Sequence, residues 1–221
     1  MEMNLDIIIK SGIVATASDT IRADVGIKGG KIVILAENLE DDAAEIIDAK
    51  AKFVLPGGID SHVHIAQPSG DGIQMAVDFE SGTRSALFGG NTTIMPFCLQ
   101  ERDGDLRSAI DWYHGIAEGQ LYTDVAFHLI VANPSPQVLG QQLPAAIANG
   151  YTSIKVFMTY ENLRLNDAEL LATFDVARQH GATMMIHCEN EDAIRFLVER
   201  HEANGDVAPK AASCAANNFP L

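Results

Sequence analysis

After Pro56 the chain settles into one repeating unit, a short apolar strand followed by a helical stretch of amphipathic period. The unit recurs about every 30 residues, the length of a strand–helix–strand repeat. The strands read "KFVLPGGID", "NTTIMPF" from Asn91, "DVAFHLIV" from Asp124, "TSIKVFM" from Thr152 and "ATMMIHC" from Ala182. Between them lie "VDFESGTRSALFGG", "LRSAIDWYHGIAEGQ", "VLGQQLPAAIANG" and "NDAELLATFDVARQHG". Gly90, Gly150 and Gly181 each close a helix, where a left-handed C-cap favours glycine. Asp167, behind Asn166, serves as an N-cap or first-turn acid. Near-continuous apolar strands joined by helices belong to parallel sheets.

Two architectures accommodate such a repeat, an open doubly wound sheet and a (β/α)8 barrel. The first strand runs into "GGIDSHVHI", which has neither GxGxxG nor GxxxxGK[ST], so a nucleotide-binding open sheet fits poorly. The barrel is the better reading. A full barrel takes ~250 residues and eight units. With five strands in 221 residues, the expectation is an α/β chain holding a partial TIM-type barrel, about five of eight units. Residues 4–50 differ: they are Ile/Val-rich runs with short turns, and "KGGK" is a hairpin signal. They read as a small antiparallel sheet. The division is therefore 1–52 for the small unit and 53–221 for the barrel portion, with an irregular stretch, "ANGDVAPKAASCAANNFPL", at its end.

Composition narrows the function classes. A net charge of -15 argues against nucleic acid and anionic membrane surfaces, both of which attract basic patches. No apolar run approaches the ~20 residues of a membrane span, and the apolar stretch in "MEMNLDIIIKSG" is too short and interrupted for a signal peptide. Three cysteines, Cys98, Cys188 and Cys214, have no disulfide or CxxC spacing, which points to a reducing cytoplasmic compartment.

In parallel α/β proteins, chemistry collects at the C-terminal strand ends. There stand His62 and His64, Lys155, and His187. His62 and His64 are two residues apart and share one side of an extended backbone, so they can chelate a metal or stand as solvated loop histidines. Their flanking glycines would let the chain turn tightly around an ion. Lys155 has Ile154, Val156 and Phe157 as neighbours; a buried ammonium must pair, lose its proton or be modified. A neutral amine could take up CO2 as a carbamate whose two oxygens bridge metals, although a salt bridge at the barrel mouth is the simpler account of these residues alone. His187 and His128 each follow apolar residues and serve equally as core histidines. Cys188 lies on the opposite pleat from His187 and reads as a packing residue.

"LPGGIDSHVHI", "DFESGTRSALFGGNTTIMPF", "GYTSIKVFMTY" and "MMIHCEN", in that order, resemble the dihydropyrimidinase/hydantoinase group of the amidohydrolase superfamily, over residues 4 to 210. The resemblance implies a (β/α)8 barrel flanked by a small β-sandwich, of which residues 1–52 would be the N-terminal portion, and a site with two divalent metals, zinc foremost. On it, His62 and His64 match the first-metal histidines and Lys155 the carboxylated lysine (N6-carboxylysine) that bridges both metals. His187 matches a second-metal histidine, and Tyr160 the tyrosine that polarises the substrate carbonyl. His128 matches no ligand. The implied reaction is metal-assisted opening of a cyclic diamide, a dihydropyrimidine or hydantoin, to an N-carbamoyl amino acid. Where dihydroorotases carry an arginine for the substrate carboxylate, this chain has Ala66, which argues against a carboxylated substrate. Allantoinase chemistry and a non-catalytic dihydropyrimidinase-related role are the alternatives. Retention of His62, His64, Lys155, Tyr160 and His187 favours descent from an active enzyme. The resemblance also implies a tetramer for full-length members. It implies two further metal-site residues, a histidine and an aspartate, beyond Leu221. After "APK" the chain reads "AASCAANNFPL" where the group continues differently. The expectation is an N-terminal part that lacks turnover alone and, with an open strand edge, aggregates or dimerises.

Overall fold

Alternation along the strands after Pro56 decides what each residue does. The computed structural model describes residues 4–40, 42–68 and 75–208. The chain divides between Gly58 and Ile59 into two units.

In the second unit the strands are β6 (Gly58–Val63), β7 (Asn91–Leu99), β8 (Asp124–Val125), β9 (His128–Ile130), β10 (Ser153–Phe157) and β11 (Thr183–His187). Their order is β11-β10-β9-β7-β6, with β8 beside β7, and among the described residues β6 and β11 have no second neighbour. β7, β8, β9, β10 and β11 pair in parallel. This is the curled sheet of a partial TIM-type barrel. Odd and even positions part company. Ile94, Cys98, Leu129, Val131, Ile154 and Val156 are buried in the main core, together with side chains of the covering helices such as Phe79, Leu106, Tyr113, Leu143 and Leu170. Phe97, Ile130 and Phe157 turn the other way and form a separate cluster on the inner face. Removing the outer set from water stabilises the unit by about 1.5–3 kcal/mol per large side chain.

The helices are α1 (Phe79–Phe88), α2 (Leu106–Ala117), α3 (Leu143–Ala148), α4 (Asp167–His180) and α5 (Glu191–Ala203). Asp78, Asp105, Asn166 and Asn190 cap α1, α2, α4 and α5 through side-chain oxygens that accept N–H groups of the first turn. Asn166 thus takes the cap of α4, and Asp167 is the first-turn acid. Gly90, Gly150 and Gly181 all have positive φ (89°, 101° and 74°).

Several elements differ from the sequence reading. "KFVLPGGID" is two strands, because Pro56 lacks an N–H and interrupts pairing: β5 (Phe53–Val54) joins the small sheet and β6 starts the barrel. "DVAFHLIV" breaks at Ala126–Phe127 into β8 and β9. The stretch read as one helix over 138–150 opens with a π-helical turn, Val138–Gln142, before α3. Pro144 cannot donate to the preceding turn, and widening that turn accommodates it. Apolar periodicity does not reveal the helix α5, because none of its residues is buried. Its signals are polar ones, Asn190 at the cap, Glu191 and Asp192 in the first turn, Arg200 and His201 in the last. The tail from 209, Cys214 included, and residues 69–74 after His64 lie outside the described residues.

The first unit holds β1 (Leu5–Ala15), β2 (Thr20–Lys28), β3 (Lys31–Ala36), β4 (Ala43–Asp48) and β5. "KGGK" does form the β2–β3 hairpin, with Gly29 and Gly30 at φ 58° and 72°. The sheet is mixed rather than antiparallel. β4 and β5 run parallel to β1, because the connection after β3 carries the chain across to the far side of β1. Buried Asp24 accepts the N–H groups of Ser11 (2.7 Å) and Leu39 (3.0 Å), fixing the bulge in β1 and the connection toward β4.

Candidate functional site

The inner face gathers the titratable residues of the barrel strands. His62 and His64 stand at the end of β6 with ring centroids 5.5 Å apart. Both rest on Phe97 of β7, at 4.7 and 4.8 Å. Lys155 of β10 is 5% exposed. Its Nζ lies 5.9 Å from the Phe97 ring and 4.8 Å from the Phe157 ring. His187 ends β11 directly beside Phe157 in the register and stacks on it at 5.7 Å. Tyr160, on the loop after β10, is 5.2 Å from His187 and 5.8 Å from Phe157. Two phenylalanines thus connect all five residues singled out in the sequence, with the lysine between the histidine pair and His187.

Hydrogen bonds decide which nitrogen atoms are available. His64 Nδ1 donates to Gln67 Oε1 at 2.5 Å, which leaves the Nε2 lone pair free. His187 Nε2 is engaged by Glu189, leaving Nδ1 as the uncommitted atom. No ring hydrogen bond occupies His62 among the described residues, and its backbone N–H is held by Asp60 at 3.2 Å. The His62 imidazole is kept below its ordinary value, first by lost hydration and then by His64, Lys155 and His128, with Asp60 opposing. It therefore favours the neutral, ligating form.

Lys155 is displaced in the same sense: burial lowers its amine below the ordinary lysine range. Among the described residues no carboxylate lies within ion-pair distance of Nζ. The salt bridge considered from the sequence is not found among them, and aromatic faces stand in its place.

His128 does not belong with these groups. Buried at 3% exposure, it accepts from Ser153 Oγ at Nδ1 (2.7 Å) and donates from Nε2 to the Ser61 carbonyl (2.8 Å). Both nitrogens are spent, so it is a core histidine that fastens β6 and β10 across β9. Cys188, read as a packing residue, is exposed, with its Sγ 3.6 Å from Met158 Sδ. Cys98 is the buried thiol, its pKa pushed up to about 12 by burial. The expected glycine turn beside the histidines is not seen among the described residues. Gly57 and Gly58 have ordinary φ, and Ala66 takes the left-handed turn at 50°.

Among the described residues, no three His, Cys, Asp or Glu side chains converge into a metal cage by themselves. The available set is three imidazoles and an amine of lowered basicity. Imidazole nitrogens with free lone pairs fit divalent transition metals, and a carbamate on Lys155 would add the oxygen donors that the set lacks.

Sequence reasoning passed over the supporting residues. Gln67 and Glu189 lie three and two positions from their histidines and could have been found by local spacing. Glu191 could not. It accepts hydrogen bonds from Thr159 Oγ1 and, at 3.2 Å, from Tyr160 N, more than 30 residues away in the chain. Next to this loop opens a cleft of about 720 Å³ bordered by Arg102, Met158, Arg164, Glu189 and Glu191. It is strongly charged and adjoins the histidine–lysine face rather than coinciding with it.

The family model described as "Amidohydrolase family" matches residues 53–209. The D-hydantoinase of Geobacillus stearothermophilus is 41% identical over 204 residues, covering 91% of this chain and 43% of that protein. A dihydropyrimidinase of Rattus norvegicus is 31% identical over 210 residues, 92% of this chain and 40% of that protein. A solved D-hydantoinase structure superposes with a TM-score of 0.92 at 38% identity, covering 96% of this chain and 46% of that one. The chain thus spans less than half the length of these relatives.

Proposed function

The chain belongs to the amidohydrolase family, and on that premise we propose that it carries part of a metal-dependent site for opening cyclic diamides, dihydropyrimidines or hydantoins, to N-carbamoyl amino acids. The observation that carries the reading is the inner-face set. His62, His64 and His187 keep nitrogen lone pairs free, and Lys155 lies between them with a weakened affinity for its proton. The names of the similar proteins, D-hydantoinase and dihydropyrimidinase, supply the substrate class. A pair of divalent metals, zinc foremost, would supply a Lewis acid and a bound water of lowered pKa.

The chain's own residues have distinct tasks. His62 and His64 would hold one ion and His187 the other. The neutral Lys155 amine would add to the carbon of CO2 and release a proton, giving N6-carboxylysine with an oxygen for each ion. The Tyr160 hydroxyl would donate to the ring carbonyl oxygen as charge builds there, a contact of a kind worth about 3–4 kcal/mol in hydrolases. Ala66 gives a substrate carboxylate no cationic partner, consistent with uncharged rings. Among the described residues no helix is long and apolar enough to cross a membrane; we assign the protein to the cytoplasm and its full-length assembly to a homo-tetramer. The free lone pairs argue against a purely structural, dihydropyrimidinase-related role.

Metal loading is the appropriate readout, since the chain spans less than half of its relatives. Equilibrium dialysis against zinc, with and without bicarbonate, should give binding that bicarbonate strengthens and that the H62A/H64A double variant loses. Zinc binding indifferent to both changes would overturn the reading.

A further inference from the structure

We infer that Glu191 is a positioning residue for Tyr160: its carboxylate holds the tyrosine's backbone in the left-handed conformation that turns the ring toward His187. The inference rests on the reading of Tyr160 as the group that meets the substrate carbonyl.

Tyr160 has φ 70°. A large aromatic L-residue leaves that region unless its surroundings hold it there. On the C-terminal side the holding is local, because the Tyr160 carbonyl accepts from Leu163 N and Arg164 N, both at 2.8 Å. Such a turn forms within its own segment. The N-terminal side is different: among the described residues the Tyr160 N–H has one partner, Glu191 Oε2 at 3.2 Å. The same oxygen receives the hydroxyl of Thr159, a residue 3% exposed. One carboxylate oxygen thereby clamps two successive residues at the point where the chain enters the strained conformation. Arg102 secures the far end of the loop by donating to the Arg164 carbonyl at 3.0 Å.

Glu191 is well placed to act as a fixed point. It is the first residue of α5, behind the Asn190 cap, and four positions from His187. Its carboxyl is held below the ordinary glutamate range by the Thr159 hydroxyl first, then by the Tyr160 N–H, Arg164 and Arg195, so it accepts as a carboxylate at neutral pH. The short segment from His187 to Glu191 therefore sets both the imidazole and, through the carboxylate, the tyrosine beside it.

The test uses the full chain with 15N-labelled tyrosine, which reports on four residues, Tyr113, Tyr122, Tyr151 and Tyr160. In Glu191→Ala, amide exchange at Tyr160 should accelerate about tenfold, the scale of one lost hydrogen bond to a charged acceptor. Cross-relaxation between the Tyr160 ring and His187 should fall, with the other three signals unmoved. Glu191→Gln keeps an acceptor oxygen and should restore most of both readouts, while Thr159→Val should give a smaller change in the same direction. Unchanged Tyr160 exchange and unchanged ring contacts in Glu191→Ala overturn the inference, as does failure of Glu191→Gln to rescue. Should Glu191→Ala unfold, all four signals would move, and the Gln and Val variants then carry the decision. Tyr160→Phe separates the two ideas. If the metal-loaded protein binds hydantoin equally well without that hydroxyl, the carbonyl-contact reading fails while the effect of Glu191 on the Tyr160 amide stands.

Discussion

The two faces of the barrel sheet are made by the same strands and serve opposite ends. On β10, Ile154 and Val156 are fully buried against the helices, while Lys155 and Phe157 between and after them face inward. On β9, Leu129 packs outward and His128 and Ile130 inward. The outer face is a continuous apolar layer whose contribution is area removed from water. The inner face alternates aromatic rings with imidazoles and an amine, a poor way to gain stability and a good way to bring several donor atoms together. Period-two alternation thus separates folding from chemistry at single-residue resolution.

Breaking the outer face should have the largest effect. Ile154→Ala leaves a cavity beneath the helices and should destabilise by about 2–5 kcal/mol. Zinc binding, measured where the variant is still folded, should be nearly unchanged. Urea unfolding followed by circular dichroism gives the first quantity and dialysis the second. A variant that lost zinc in proportion to stability would mean that the faces are not independent.

The inner face itself contains a sharper contrast, between a buried histidine with both nitrogens spent and two exposed ones with a nitrogen left free. His128→Ala orphans the Ser61 carbonyl and the Ser153 hydroxyl and should destabilise by about 1–3 kcal/mol. The H62A/H64A pair, at exposed positions, should change stability by no more than about 0.5 kcal/mol while abolishing zinc binding. Thermal melts and dialysis on the same two proteins would reveal the crossover. Equal stability losses would put His62 and His64 in the fold rather than in the site.

This contrast also explains what the sequence could convey. The HxH spacing and the isolated Lys155 are local facts, and a reader of "DSHVH" and "SIKVFM" sees them without a structure. The same holds for the three left-handed glycines that end helices, Gly90, Gly150 and Gly181, and for the "KGGK" hairpin. His128 and His187 look alike in sequence because what separates them is non-local. Ser61 and Ser153 consume one ring, and Glu189 leaves the other half free. The parallel placement of β4 beside β1 needs a crossover that no short window reports. The helix α5 has a polar pattern that apolar periodicity does not detect, and the bond from Glu191 to the Tyr160 loop exists only once β10 and β11 are paired.

Lys155 is where the two faces meet, an inner-face group in a setting dry enough to belong to the outer one. Replacing it by Met keeps the length of the side chain and removes the cost of desolvating an ammonium, so Lys155→Met should stabilise by about 1 kcal/mol at neutral pH. Burial lowers the native pKa below the ordinary 10.5, so from that native value up to 10.5 the unfolded chain binds more protons than the folded one. The Lys155 contribution to wild-type stability should therefore climb as pH rises through this window, against a fall from buried Cys98 that both proteins share, so the stability gap to Lys155→Met should narrow. The measurement is denaturant unfolding in CO2-free buffer across the alkaline range, because a carbamate on the amine would remove its titration. Parallel pH profiles for the two proteins would mean that the aromatic faces of Phe97 and Phe157 compensate the ammonium in full. In that case the pull toward a neutral, CO2-accepting amine would have to come from bound metal rather than from burial.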